Sequence, residues 1–282
     1  MLKKAYVEIT NQCNLRCAFC PGTKRPKRRM TPEEFARAAE ALRGRVSYLY
    51  LHVMGEPLSH PALGEILAIA EDLGFRVCIT TNGTLLPQKG DILRAHAAAL
   101  HKVSVSLHAL EGSGADMALE TYLGGVWQFC EEMCPRGVYC ALRLWNRGGA
   151  EENNGAILDF LAARTGRDPR TLPVTRSRSR VLGKNLFLEM EEQFSWPDLA
   201  AEETGSQFCF GLRDQIGVLA DGTVVPCCLD HEGDVPLGNL FRQSLEEILA
   251  SPRARAIYDG FSNRAPAEAL CRRCGFATRF NR

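Results

Sequence analysis

Short hydrophobic segments alternate with longer amphipathic segments over about the first 190 residues of the chain. The short segments are rich in β-branched and aromatic residues and are bounded by Gly, Pro or Asn, which predicts strands. The longer segments predict helices, and one of them opens with Thr31, Pro32 and acidic residues, a typical helix start. This alternation predicts βαβ units and a parallel sheet. The predicted strands are 4–10, 46–54, 75–81, 102–110, 138–145 and 185–190.

The predicted strands are polar on one face, unlike parallel strands that are covered by helices on both faces. Because side chains alternate along a strand, Tyr6, Glu8 and Thr10 share one face of the first strand, and Val7 and Ile9 share the other. We therefore predict an α/β fold, a partial (β/α)6 barrel of the TIM type with a polar, ligand-holding lumen. Six strands are too few to close the usual eight-stranded barrel. The other predicted lumen residues are Tyr48, Tyr50, His52, Thr80, Asn82, Ser104, Ser106, His108, Tyr139, Arg143, Trp145 and Glu189.

The pattern changes after about residue 195. Residues 215–229 predict two strands around Asp221 and Gly222, a typical hairpin turn. Residues 244–261 predict a helix that is broken or restarted at Pro252. The sequence therefore predicts two domains, a barrel core over residues 1–194 and a smaller C-terminal extension over residues 195–282.

The composition is that of an ordinary globular protein, with 45% hydrophobic residues, 24% charged residues and a net charge of +1. This balance argues against a surface that binds nucleic acid as a whole. No segment approaches the roughly 18 apolar residues of a membrane span, and the N-terminus lacks an apolar run of signal-peptide length. We therefore expect a cytoplasmic protein without a membrane partner.

Twelve cysteines form the most informative feature of the sequence. Without an export signal, clustered cysteines predict metal or catalytic sites rather than disulfides. Cys13, Cys17 and Cys20 form a C-x3-C-x2-C motif after the first predicted strand, and the next cysteine is Cys78. A closed metal site needs four protein ligands, so three thiolates leave one position open to an exogenous ligand. A zinc site completed by a distant residue is the alternative.

This motif resembles the signature of the radical S-adenosylmethionine (SAM) superfamily, which has an aromatic residue, here Phe19, before its last cysteine. The resemblance implies that Cys13, Cys17 and Cys20 hold a [4Fe–4S] cluster whose open iron is chelated by SAM. It also implies a low-potential reductant such as flavodoxin or ferredoxin, and a 5′-deoxyadenosyl radical that abstracts a substrate hydrogen atom. The cofactor supplies this chemistry, and the protein orients it and excludes water.

Further motifs follow the next predicted strands. Residues 54–57, MGEP, resemble the family's GGEP turn, which binds the SAM amino group, although Met54 replaces the first glycine. Residues 80–84, TTNGT, resemble the third-strand motif near the ribose. Arg143 offers fork geometry to a carboxylate and Ser106 offers a donor, whereas a structural ion pair between Arg143 and Glu8 is the alternative. The implied cofactor-binding residues are Phe19, Gly55, Glu56, Pro57, Thr80, Asn82, Ser106 and Arg143.

Four C-terminal cysteines form a second predicted site. Cys209, Cys227, Cys271 and Cys274, with Gly222 five residues before Cys227, resemble the twitch domain, the shorter relative of the SPASM domain. The spacing is similar to that of 2-deoxy-scyllo-inosamine dehydrogenase and implies one auxiliary [4Fe–4S] cluster. A zinc site with four cysteine ligands is the alternative.

The sequence offers several candidates for the catalytic proton acceptor. In sulfatase-maturing relatives an Asp proton acceptor follows the second cysteine of this group, whereas this chain has Cys228 there and Asp230 two residues later. Cys228 is also an alternative ligand to Cys227. His52 and His108 complete the candidates, although structural roles are expected for both. Cys130, Cys134 and Cys140 are predicted as packing residues.

Electron counting indicates the reaction class. Hydrogen abstraction leaves a substrate radical, and the loss of a proton and one more electron to an auxiliary cluster completes an oxidation. We expect a radical SAM oxidoreductase. A small-molecule alcohol or sugar dehydrogenase is the favoured class, a peptide or protein maturase is the second and a nucleotide- or RNA-modifying enzyme is the third. A non-catalytic iron–sulfur or zinc protein is the alternative, and the GEP and TTNG motifs argue against it.

Two basic runs bear on the substrate class, residues 23–29 and 175–180. One interpretation is that they bind an anionic substrate, and the alternative is that they are solvated, mobile loops.

Overall fold

The computed structural model describes residues 2–111, 113 and 117–281, so Met1 and Arg282, the outer ends of the predicted domains, lie outside the described residues. The strands are β1 Lys4–Val7, β2 Tyr48–Tyr50, β3 Arg76–Thr81, β4 Leu100–Ser106, β5 Tyr139–Arg147, β6 Ser179–Gly183, β7 Leu186–Glu192, β8 Gln215–Val218, β9 Thr223–Val225 and β10 Gly238–Asn239. The helices are α1 Pro32–Leu42, α2 Leu63–Asp72, α3 Leu86–Ala95, α4 Leu119–Met133, α5 Asn154–Thr165, α6 Leu245–Ala250, α7 Pro252–Ser262 and α8 Ala269–Arg272.

All ten strands belong to one sheet in the order β10-β9-β8-β1-β2-β3-β4-β5-β7-β6. The six predicted core strands are present as β1, β2, β3, β4, β5 and β7, and neighbours among them pair in parallel. Helices α1 to α4 connect the first five of these strands, as the alternating pattern predicts. The predicted α/β class, a partial TIM-type barrel with a C-terminal extension, is confirmed.

Helix α1 shows how local sequence fixes an element. The Thr31 hydroxyl accepts a hydrogen bond from the backbone N–H of Glu34, and the Glu34 carboxylate accepts one from the Thr31 N–H, which forms a capping box. Pro32 occupies the first turn, where a missing N–H costs nothing. The helix buries Phe35 and Leu42 against the sheet's apolar face.

The apolar face of the barrel strands forms the core. Val7 and Ile9 of the first strand are buried there, as the period of two predicts. The equivalent residues of the other strands join the same hydrophobic cluster, which leaves the polar face for the lumen. These residues are Leu49, Leu51, Val103, Val105, Leu142 and Leu144.

The C-terminal region continues the barrel sheet. The predicted hairpin around Asp221 and Gly222 is present, but β8 also pairs in parallel with β1, with Gln215 beside Lys4. The helix break is confirmed, since α6 ends at Ala250 and α7 begins at Pro252. The sequence pattern missed α5 and the edge strand β6, and the domain boundary at residue 195 stays a prediction. None of the described helices is long and apolar enough to cross a membrane.

Candidate active site

The barrel lumen is a cavity of about 550 Å³, a volume typical of ligand sites. Nine of the predicted lumen residues line it, which confirms the polar face for five of the six core strands and for residues that follow them. The same cavity reaches both groups of clustered cysteines. The nine residues are Tyr6, Tyr50, His52, Thr80, Asn82, Ser106, His108, Arg143 and Trp145.

The three-cysteine motif lies at one end of this cavity. Cys13, Cys17 and Cys20 all line it, and burial raises the pKa of each thiol. The pKa of Cys17 rises to about 12 through burial and then through the charges of Cys13 and Cys20, so the three sulfur atoms are electrostatic neighbours. The Leu15 N–H donates to Cys13 Sγ at 3.4 Å, a contact that favours a thiolate. Convergent soft donors of this kind fit an iron–sulfur cluster.

The TTNG turn holds the cysteine loop in place. The Asn82 side-chain amide donates to the Asn14 side-chain oxygen at 2.9 Å, and the Asn14 amide donates to the Thr84 hydroxyl at 2.8 Å. The Tyr122 hydroxyl donates to the Asn82 carbonyl at 2.7 Å and fixes the turn from the helix side. Asn82 lines the cavity and therefore both positions the loop and faces a ligand.

The GEP turn packs directly against the same loop. At Gly55 the backbone has a φ of +77°, and a Cβ there would lie 2.4 Å from the Thr10 carbonyl oxygen, so only glycine fits. Met54, which replaces the family's first glycine, packs its side chain against Leu219 and Val225 of the C-terminal hairpin. The departure from the motif thus serves the contact between core and extension.

Glu56 is a buried carboxylate at the edge of the cavity. It accepts hydrogen bonds from the backbone N–H groups of Leu58 at 3.0 Å and Asn82 at 2.8 Å. Burial raises its pKa to about 7, and these hydrogen bonds only partly oppose that rise. Gly55 and Glu56 line the cavity, whereas Pro57 begins a buried 3₁₀ turn and is outside the lining in the described part of the chain.

A buried ion pair joins the cysteine loop to the barrel. Arg25 donates to both carboxylate oxygens of Glu8, at 2.8 and 2.7 Å, and to the His231 carbonyl at 2.7 Å. The same carboxylate accepts the backbone N–H groups of Met54 and Ala220. The sequence alternative that paired Glu8 with Arg143 is therefore wrong.

This contact also changes the interpretation of the first basic run. Arg25 is committed to Glu8, and Arg28 donates to the Ala220 carbonyl at 2.8 Å and pairs with Glu34. Both guanidinium groups are thus engaged in contacts within the chain. In the second run, Ser179 and Arg180 belong to β6, and Arg178 pairs with Glu191.

Arg143 lines the lumen and already has a carboxylate partner, Glu189, which is outside the described lining of the cavity. Its Nε donates to Glu189 at 3.0 Å, its Nη1 donates to the Thr80 hydroxyl at 3.3 Å, and its guanidinium stacks on Trp145 at 4.5 Å. Burial opposes ionisation of Glu189, but Arg143 and Lys102 outweigh it and hold the pKa of Glu189 below its usual range. Ser106 lines the cavity and is available to a ligand.

The second group of cysteines surrounds a small cavity of about 30 Å³. Burial raises the pKa of Cys227 well above its usual value, and the charges of four neighbouring cysteines, Cys228 among them, raise it further. The Gly211 N–H donates to Cys209 Sγ at 3.4 Å, as it would to a cluster-bound sulfur. Within the described residues, no three His, Cys, Asp or Glu side chains lie close enough together to hold a single metal ion. The four lining cysteines are Cys209, Cys227, Cys271 and Cys274.

Cys228 lies on a different side of this group. It lines the lumen and not the small cavity, whereas Cys227 lines both. Its thiol contacts the Tyr6 hydroxyl, and burial raises its pKa to about 11. Cys227 is therefore the one of the two that lies with the other three cysteines at the small cavity, and Cys228 faces the lumen.

The other catalytic candidates, two histidines and an aspartate, differ in their hydrogen-bond partners and in whether they line the lumen. His52 lines the lumen, its buried Nδ1 atom has no hydrogen-bond partner in the described structure, and burial lowers its pKa to about 3. His108 also lines the lumen, but its Nδ1 contacts the Arg143 carbonyl at 3.1 Å and its ring packs on Phe19. Asp230 accepts the backbone N–H groups of Asp234 and Val235 and is outside the lining of the lumen.

Comparisons with known proteins match both parts of the chain. The radical SAM superfamily model matches residues 7–118, and the SPASM iron–sulfur cluster-binding domain model matches residues 209–275. An AdoMet-dependent heme synthase of Methanosarcina barkeri is 34% identical over 113 residues, which is 39% of this chain and 31% of that protein. The chain thus spans about a third of the length of this curated relative.

Solved structures share the fold over nearly the whole chain. The crystal structure of BtrN in complex with AdoMet and 2-DOIA has a TM-score of 0.62 and 20% identity, and covers 97% of this chain and 93% of that chain. Streptococcus suis SuiB bound to the precursor peptide SuiA has a TM-score of 0.64 and 16% identity, and covers 98% of this chain and 70% of that chain.

Proposed function

Because the chain belongs to the radical SAM superfamily and carries a C-terminal SPASM iron–sulfur domain, we propose that it oxidises a substrate in the barrel lumen by radical chemistry. The observation that supports this most is the single cavity that reaches Cys13, Cys17 and Cys20 as well as Cys209, Cys227 and Cys274. A substrate in this cavity lies between a site that initiates a radical and a site that accepts an electron.

Each motif has a proposed task at the first site. Cys13, Cys17 and Cys20 hold a [4Fe–4S] cluster, which together with SAM supplies a 5′-deoxyadenosyl radical for hydrogen abstraction. The Glu56 carboxylate, fixed by two backbone N–H groups, attracts the SAM ammonium group. The remaining proposed cofactor contacts are Phe19, Gly55, Thr80, Asn82 and Ser106, which all line the cavity.

The second site is proposed to hold one auxiliary [4Fe–4S] cluster on Cys209, Cys227, Cys271 and Cys274. Oxidation also needs a proton acceptor near the substrate. The Cys228 thiol is protonated near neutral pH, because burial raises its pKa to about 11. His52 lines the lumen, so we propose His52 as the acceptor on its position; its pKa of about 3 makes it a weak base unless the bound substrate raises that pKa. Tyr6 contacts both residues and fixes their orientation.

A small-molecule alcohol or sugar is the favoured substrate class. The cavity of about 550 Å³ has to hold both SAM and the substrate, which leaves limited space. The fold shared with BtrN, solved with 2-DOIA, supports this choice. Peptide maturation is the second candidate, supported by the fold shared with SuiB, which was solved with its precursor peptide. A nucleotide or RNA substrate is disfavoured because Arg25 and Arg28 of the first basic run are internally paired.

The proposed radical initiation has a direct test. The protein is reconstituted anaerobically with iron and sulfide, SAM and a strong reductant are added, and 5′-deoxyadenosine is quantified. We expect formation that is lost in Cys20→Ala and retained in Cys134→Ala, a matched change at a buried cysteine outside both sites. Absence of the product from wild-type protein that holds its iron, with candidate substrates present, would contradict the proposal.

A further inference from the structure

Lys4 places an uncompensated positive charge in the lumen. Its side chain lines the cavity, and its ammonium lies 5.5 Å from the Tyr6 ring centre and 5.4 Å from that of Tyr50. No described carboxylate stands within ion-pair distance of it. Aromatic rings stabilise a cation by cation–π attraction, but they do not neutralise its charge.

The acidic groups that border the cavity are already engaged. Glu189 pairs with both Arg143 and Lys102, and Asp214 pairs with Lys3. Glu56 accepts two backbone N–H groups at the far edge of the cavity. With Glu56 assigned to the SAM ammonium group, the lumen offers a positive charge to a substrate and has no further unpaired carboxylate for a cationic one among the described residues that line it.

Two buried polar atoms of the same cavity also lack partners in the described structure. These are His52 Nδ1 and Trp145 Nε1, an indole N–H that can only donate. Both atoms are shielded from the cavity, although His52 and Trp145 line it with other atoms. Lys4 is therefore the group that carries the subsite.

The position of Lys4 indicates which ligand carries the anion. Lys4 is the first residue of β1, whereas the cysteine motif follows the other end of that strand. At about 3.3 Å per residue, the strand separates the Cα atoms of Lys4 and Val7 by about 10 Å. A negative group at Lys4 therefore belongs to the substrate rather than to a SAM molecule held at Cys13, Cys17 and Cys20.

We propose that Lys4 forms an anion subsite at the base of the lumen and that the substrate is a small molecule with a carboxylate or phosphate group. That the anion bound at Lys4 belongs to a substrate rests on the proposed function. The subsite narrows the favoured alcohols and sugars to anionic ones, such as hydroxy acids or sugar phosphates.

Binding of simple anions tests the subsite without knowledge of the substrate. Thermal unfolding of the reconstituted protein with SAM is followed against acetate and against inorganic phosphate, at constant ionic strength. We expect a saturable rise in Tm for the wild-type protein, and at least a tenfold weaker response for Lys4→Met. Lys184→Met is the matched control, because Lys184 is an exposed lysine in the turn between β6 and β7 and is outside the lining of the lumen.

The comparison between the anions separates carboxylate from phosphate ligands. An equal rise in Tm with anion concentration for Lys4→Met and wild type would overturn the subsite. A Tm that is lower for Lys4→Met at every anion concentration, with the same anion-dependent rise, would overturn it as well. The latter result would assign Lys4 to stabilising Tyr6 and Tyr50 alone.

Substrate pairs then test the inference in turnover. Hydroxy acids are compared with their methyl esters, and sugar phosphates with the free sugars, by 5′-deoxyadenosine formed above the substrate-free level. We expect stimulation only by the anionic member of a pair, and its loss in Lys4→Met but not in Lys184→Met. Stimulation by neutral members alone contradicts the anion subsite and leaves the proposed function intact, whereas the absence of any Cys20-dependent product contradicts the proposed function itself.

Discussion

At the residue scale, the ion pair between Arg25 and Glu8 is the most consequential contact outside the cysteines. The Glu8 carboxylate is fully buried, and the Arg25 side chain is 14% exposed. A buried carboxylate is tolerated only where charged and neutral donors satisfy both of its oxygens. This single group thereby joins the cysteine loop, the GEP turn and the C-terminal hairpin.

Removal of Arg25 leaves an uncompensated buried charge, which typically costs about 3–5 kcal/mol. We expect Arg25→Ala to lower the free energy of unfolding by about 3 kcal/mol, measured by urea denaturation of the cluster-free protein. Arg37→Ala, at an exposed position of α1, is the control and should change it by less than about 0.5 kcal/mol. Equal effects of the two substitutions would show that the ion pair contributes little.

Glu56 gives the protein a defined pH dependence. Its pKa is raised from 4.5 to about 7, so between these values the folded protein holds a proton there that the unfolded chain has lost. The contribution of Glu56 to stability is therefore full below about pH 4.5 and is lost as the pH rises through about 7.

Glu56→Gln removes this titration. Relative to Glu56→Gln, we expect the wild-type free energy of unfolding to fall by up to about 3 kcal/mol between about pH 5 and about pH 8. The measurement is chemical denaturation of both cluster-free proteins at several pH values. Parallel pH profiles would contradict the raised pKa.

At the element scale, the loop after β1 is positioned by turns that follow β2 and β3. The backbone N–H of Glu56 donates to the Gln12 carbonyl at 2.9 Å, and Asn82 donates to Asn14. Parallel strands bring their carboxyl ends to one edge of the sheet, so motifs distant in sequence meet there. The GEP and TTNG turns therefore support the cysteine loop together, in addition to the cofactor contacts proposed for them.

A glycine pair tests this close approach. Gly55 and Gly74 both have a φ of +77°, but a Cβ would meet the Thr10 carbonyl at Gly55 and open space at Gly74. We expect Gly74→Ala to cost about 1 kcal/mol for its backbone conformation, and Gly55→Ala to cost more and to weaken SAM binding at least tenfold. Urea denaturation and equilibrium binding of SAM to the reconstituted proteins measure both effects.

At the scale of the whole molecule, the extension completes the barrel rather than standing apart from it. Strand β8 pairs with β1, and Met54 packs against Leu219 and Val225. The same lumen therefore contacts Cys227 and Cys228 from the extension and the first cysteine motif from the core. In the proposed reaction, this shared cavity would couple hydrogen abstraction at the first site to electron transfer at the second.

Cys271→Ala separates these two steps. We expect the variant to lose the iron of the second site but to keep Cys20-dependent formation of 5′-deoxyadenosine, because the first site is unchanged. Oxidised product should fall at least tenfold, since the substrate radical lacks its electron acceptor. Iron analysis and product quantification by mass spectrometry measure both, and normal turnover of Cys271→Ala would refute the role of the second cluster.

Local patterns in the sequence determined most of the architecture. Strand periodicity separates Val7 and Ile9 from Tyr6, and cap residues such as Thr31 and Pro32 start helices, because these signals act between residues close in the chain. The spacing of Cys13, Cys17 and Cys20 is equally local and predicts the open metal site. Strand β6 escaped prediction because arginine and serine residues there lack the hydrophobic alternation that marks a half-buried strand.

Only the tertiary structure decided which polar groups meet across the lumen. The sequence does not indicate that Glu8 pairs with Arg25, that Arg143 pairs with Glu189, or that Lys4 is left without a carboxylate. Side-chain pairing depends on distances between strands far apart in the chain, which local propensity does not encode. The chain's own sequence thus determined the barrel and its cysteine sites, whereas the charge of the lumen, and with it the proposed substrate class, follows from packing.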